Sequence, residues 1–256
     1  MAKNAVTRGH RCLFTALAMF AGAFLAGDAR ADLYTYDFTR ITDNSMDQNG
    51  DPVDGSSWFS LEVSSTENEN EAMFKFLNVA PSGEGELGSL SAITSVYFFD
   101  GVLLSNGGAA VSSSDATGVS FTEVPASEAD TMPGFNGDST RVFSADADPP
   151  PTQGGSGYAV HTGEWLGILF TLDEDVTFTD VIQSINISGS TTQVPGTLQI
   201  GIHVQGLPGF TDDGSGDGSW LPDEASDSFV LVPVPAAVLL GMLGLGAAGL
   251  RLRKYT

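Results

Sequence analysis

Tyr34-Thr-Tyr-Asp-Phe-Thr39 sets an aromatic ring at every second position and a polar side chain between. Successive side chains on a strand point to opposite faces, so this period of two predicts a half-buried strand with Tyr34, Tyr36 and Phe38 inward. The same period returns in Phe59, Leu61 and Val63, and again in Phe74 and Phe76. Further strand-like runs are residues 95–99, 119–121, 142–143, 165–172, 176–178, 185–187 and 198–204. Gly-, Ser-, Asp- and Pro-rich turns separate them, among them Asp100-Gly101, Asn106-Gly-Gly108 and Pro149-Pro-Pro151. No heptad or long amphipathic helix interrupts the series, and residues 180–185 read as at most one helical turn. About ten short strands with such punctuation predict an all-β fold, a single β-sandwich or jelly-roll-like domain. Its expected bounds are residues 32–231, with residues 126–157 as a long loop inside it.

The charge of this body is extreme. It keeps all but Asp28 of the 32 acidic residues, yet only Arg40, Lys75 and Arg141 of the 10 basic ones, a net −28 (3 against 31). Such a surface repels a phosphate backbone and excludes nucleic acid as a partner. It favours solubility and attracts divalent cations or basic polymers.

Both flanks differ in kind from the body. Residues 1–31 carry Lys3, Arg8 and Arg11, then an apolar run over 13–25, then Ala29-Arg30-Ala31. That is the layout of a secretory signal peptide cut before Asp32; as a transmembrane helix the run is too short. Cys12 is the only cysteine and lies in this leader, so the exported body is expected to hold no disulfide, thiolate-bound metal or cysteine nucleophile. At the other flank, Val232 to Lys254 comprises Pro233-Val234-Pro235, an uncharged run over 236–250, and a basic end at Arg251, Arg253 and Lys254. Those 15 uncharged residues would give a helix of roughly 22 Å, short of the roughly 30 Å hydrocarbon layer. The cationic end favours the cytoplasmic side and leaves the body outside. Gly241, Gly244, Gly246 and Gly249 let another helix approach closely, which favours a processing signal over a permanent anchor.

This tripartite tail resembles the PEP-CTERM family of bacterial C-terminal sorting signals. Where that family's motif has a central Glu this chain has Val234, so it resembles the VP-x-P variants. The resemblance implies an exosortase-type processing enzyme as partner, delivery by the secretion machinery, and an association with exopolysaccharide. It also implies transient anchoring in the bacterial inner membrane with the C-terminus cytoplasmic, then a cell-surface or extracellular location. Passages in the body, Ser95-Val-Tyr-Phe-Phe-Asp-Gly-Val-Leu-Leu104, Pro149-Pro150, Gly163-Glu-Trp-Leu-Gly-Ile168 and residues 198–205 before Ser228-Phe-Val230, are similar to domains that precede such tails. This second resemblance implies a small exported β domain and no particular activity.

Candidate chemistry in the body is sparse. His161 and His203 are its two histidines, and a metal or hydrolytic centre would pair them with Glu164; a hydrogen-bonded strand histidine is the plainer expectation. No nucleophile elbow, zinc-protease helix or phosphate-binding loop is present. Against the calcium-loop pattern, Asp213, Ser215, Asp217, the Ser219 carbonyl and Glu224 fall at positions 1, 3, 5, 7 and 12. Position 3 is not acidic and Pro222 interrupts the end of the loop, so weak calcium binding competes with a plain acidic turn. Trp58, expected on the polar side with Ser60 and Glu62, and Trp220, in the acidic stretch, are candidate sugar-stacking rings. The leading expectation is a noncatalytic exported surface or matrix protein without a resident cofactor. A carbohydrate-binding module and a secreted glycoside hydrolase are the alternatives.

Overall fold

The computed structural model describes residues 32–47, 51–82, 90–99, 104–113, 118–124, 132–135, 141–148, 158–187, 196–211 and 219–232. The chain divides into two units, Met1–Asp32 and Leu33–Thr256, and every described strand belongs to the second. The strands are β1 (Leu33–Arg40), β2 (Phe59–Ser65), β3 (Glu71–Asn78), β4 (Ala92–Phe99), β5 (Leu104–Ser113), β6 (Phe121–Glu123), β7 (Arg141–Ala147), β8 (Trp165–Leu172), β9 (Gln199–Thr211) and β10 (Ser219–Val232). One helix, α1 (Phe178–Ile187), and a 3-10 turn at Ser56–Trp58 complete the described elements. The strands form one antiparallel sheet in the order β5-β8-β3-β2-β1-β10-β9-β4-β7-β6. An all-β fold was expected and is found.

Alternation builds the inner face. Phe59, Leu61 and Val63 of β2 are buried, and the register Leu61↔Phe76, Val63↔Phe74 sets them beside the buried residues of β3. Cross-strand neighbours on one face sit close enough to pack, which locks that register. The sheet then curls over itself. Phe98 of β4 meets Phe74 at 5.2 Å and Phe170 at 4.7 Å, although β3 and β8 lie far from β4 in the sheet order. Phe143 of β7 meets Phe170 at 5.4 Å, and β5 touches β6 and β7, so the sheet is nearly closed. Most of these rings cross edge to face, the arrangement their quadrupoles favour.

On β4 every residue is buried, because its outer face is covered as well. Tyr97, Phe99 and Val230 form a second apolar cluster with Met132, and Phe135 stacks on Phe99 at 4.4 Å. Met132 lies across Gly201 of β9, where an added Cβ would collide with its sulfur. Residues 126–157 therefore do not act as loop throughout: they supply this cover and strand β7.

Three other expectations change. Residues 176–178 and 185–187, expected as strands, are the lead-in and the last turn of α1. Thr177 caps that helix reciprocally with Asp180: the Asp180 carboxylate accepts the Thr177 N–H at 2.9 Å, and the Thr177 hydroxyl accepts the Asp180 N–H at 3.3 Å. Val181, Ile182 and Ile185 then share the face buried on the core. Asn106-Gly-Gly108, expected as a turn, lies within β5 at a shift of its register with β8. The end of the acidic stretch, Ser219 to Glu224, expected as part of a turn, opens β10, which runs between β1 and β9.

Candidate functional site

Since β1 and β10 are antiparallel, with Asp37 facing Val232 and Arg40 facing Phe229, one end of the sheet carries both the start of β1 and the finish of β10. The opposite end carries the loops after β1, β3 and β9, and the polar chemistry gathers there. Arg40 and Asp227 meet at this loop end. The Asp227 carboxylate is fully buried and accepts Thr42 Oγ1 at 2.7 Å, the Asn44 N–H at 2.9 Å, the Ser45 N–H at 3.0 Å and the Ser45 hydroxyl. The Arg40 guanidinium stands 3.8 Å away and donates to the carbonyl of Val53 at 2.6 Å and to Ser45 Oγ at 3.0 Å. A buried carboxylate needs this saturation, because a polar or charged group away from water costs free energy unless its hydrogen-bonding capacity is met. The result ties the loop after β1 to the last strand. One of the body's three cations is thus turned inward. Lys75 is held 3.3 Å from Glu62, with its ammonium 4.7 Å above the Trp165 ring.

His203 stands on the outer face of β9, in a row with Ser95, Asp146 and Ser228 of the neighbouring strands. Its Nδ1 lies 3.3 Å from Ser228 Oγ. Burial pushes the imidazole below its ordinary 6.5, while Asp227 and Asp146 pull it partly back. Ser228 is fully buried, so as placed its hydroxyl meets no solvent. His161 and Glu164 lie apart in the turn before β8, where the Glu164 carboxylate accepts the His161 N–H at 2.8 Å. That turn is fixed by Asn78, whose side chain donates to the carbonyls of Ser91 at 2.7 Å and Val160 at 3.1 Å. Residues flanking these bonds, Val79, Leu90 and Tyr158, are among the exposed large apolar side chains.

Trp58 ends the 3-10 turn and packs, partly buried, against the main core with Gly55 under its ring. It does not continue the polar face of β2 as the alternation predicted. Ser219, Trp220 and Glu224 lie on β10, whose register with β9 shifts between Leu221 and Ala225. The other residues of the calcium reading, Asp213, Ser215 and Asp217, lie outside the described residues. So do the cleavage residues Ala29 and Ala31, the motif Pro233, Val234 and Pro235, and the basic end Arg251, Arg253 and Lys254; Asp32, just before β1, is described and exposed. Among the described residues no group of three or more His, Cys, Asp or Glu side chains is placed to hold a metal, and no helix is long and apolar enough to cross a membrane. Sequence reasoning passed over Arg40 and Asp227. The available signal was an arginine in a body almost empty of cations.

No family model, curated protein or solved structure matches the chain.

Proposed function

We propose that this is an exported, noncatalytic cell-surface or extracellular-matrix protein, delivered by a leader, processed at its C-terminus by an exosortase-type enzyme and associated with exopolysaccharide. The observation that carries the reading is the sequence of the two flanks: a leader ending at Ala31 and a Pro-x-Pro, apolar, arginine-ended tail. The described sheet occupies Leu33 to Val232, so of the two flanks only Val232 belongs to a described strand. We read its curled form as sandwich-like, with the two halves meeting at Phe98 and Phe170. Mass spectrometry of the mature protein tests the proposal: an N-terminus at Asp32 and loss of the segment beyond about Pro235 are expected. Cytosolic material with both flanks intact would sink it.

A carbohydrate-binding module is the second reading, favoured by Tyr158, which is 47% exposed at the loop end. Pull-down of residues 32–231 on neutral polysaccharides tests it. Binding that Tyr158→Ala abolishes supports it, and absence of binding to any polymer removes it.

A further inference from the structure

The pairing of β1 with β10 makes the polypeptide enter and leave the sheet at one end. β1 extends beyond Asp37, the last residue paired with β10, to Leu33. After Val232 three residues, Pro233-Val-Pro235, precede the uncharged run. Three residues reach about 11 Å at full extension, which leaves the body little freedom to turn over on such a tether. This exit end also carries exposed Glu67 and Glu69 in the β2–β3 turn and exposed Glu174 and Asp175 between β8 and α1. Of the body's three cations, Arg40 is at the loop end and Lys75 is engaged with Glu62, while the backbone of Arg141 opens β7 opposite Phe99 at the exit end. Among the described residues its exposed large apolar side chains are Leu33, 58% exposed, and Tyr34, 43% exposed and in contact with Phe178.

We propose that the exit end is the membrane-facing end of the body and that the tail alone holds it there. This rests on reading the tail as a membrane segment. The described carboxylates at the exit end are repelled by anionic headgroups, and the two exposed apolar side chains among its described residues fall short of what stable anchoring requires. Connectivity sets the orientation, and cutting near Pro235 releases the body into the external medium.

The chain from residue 32 to 256 contains no cysteine, so single cysteines at Glu69→Cys and Asp51→Cys label the exit end and the loop end separately. In phosphatidylcholine vesicles carrying an acceptor on their headgroups, energy transfer from a label at residue 69 is expected to exceed that from residue 51 at least twofold. Equal or reversed transfer overturns the orientation. Residues 32–235, which hold every described strand, are expected to stay in the supernatant when vesicles of phosphatidylcholine, or of phosphatidylcholine with phosphatidylglycerol, are pelleted. Pelleting of that trimmed chain overturns the claim that the tail acts alone. If residues 32–256 themselves fail to pellet, the membrane reading of the tail falls, and this proposal with it.

Discussion

Replacing Asp227 by alanine removes the acceptor shared by Thr42, Asn44 and Ser45 and leaves Arg40 without its buried counter-charge. Breaking one side of such a pair costs about 3–5 kcal/mol, to be read from urea unfolding. Tyr36 is the opposite case. Its hydroxyl is buried without a partner, and burial, with Tyr34 nearby, pushes its pKa up to about 12. Tyr36→Phe is therefore expected to leave stability unchanged or raise it by up to about 1 kcal/mol. His203 adds a pH dependence whose sign follows from its lowered pKa. The fold favours the neutral ring, so this contribution is complete above pH 6.5 and is lost as pH falls through the lower folded value. His203→Gln should flatten that part of the stability profile in urea titrations between pH 7 and 5. At this scale the sequence was a partial guide. The alternation did put His203 on the face opposite Ile200, Ile202 and Val204, but Ser228 and Asp227 come to it from β10, whose place beside β9 no local pattern announces.

Strands with strict alternation were legible because one buried face suffices to impose the period, as in β2 and β3. α1 was legible in principle: Phe178, Val181, Ile182 and Ile185 fall at helical spacing behind Thr177 and Asp180. The β-branched residues around them drew the reading toward strands. β5 hid for a different reason, since its Asn-Gly-Gly carries turn chemistry inside a strand whose register shifts there. Thr177→Ala should cost about 1 kcal/mol through loss of the cap. Contact between elements has a sharper test at Gly201. Gly201→Val drives a side chain into Met132 and is expected to lose about 1–3 kcal/mol. Met132→Ala opens the space, so the double variant should recover part of that loss. Strict additivity in thermal unfolding would show that Met132 is not the obstacle.

Over the whole body, one cation points inward, a second is engaged with Glu62, and the net charge of −28 (3 basic against 31 acidic) stands largely uncompensated. Self-repulsion of that size disfavours the compact state and is screened by salt. The melting temperature of residues 32–235 should rise as sodium chloride increases from about 10 mM to about 150 mM, where the screening length falls from about 30 to 8 Å. A flat response would mean that the carboxylates are spread too widely to matter.

The position of β10 also bears on how the polypeptide is made. This last strand lies between β1 and β9, so a nascent chain stopped before Ser219 lacks the strip that joins one half of the sheet to the other. Contacts so distant in sequence form late and slowly. Nearly the whole polypeptide must leave the ribosome before the nearly closed sheet can be completed.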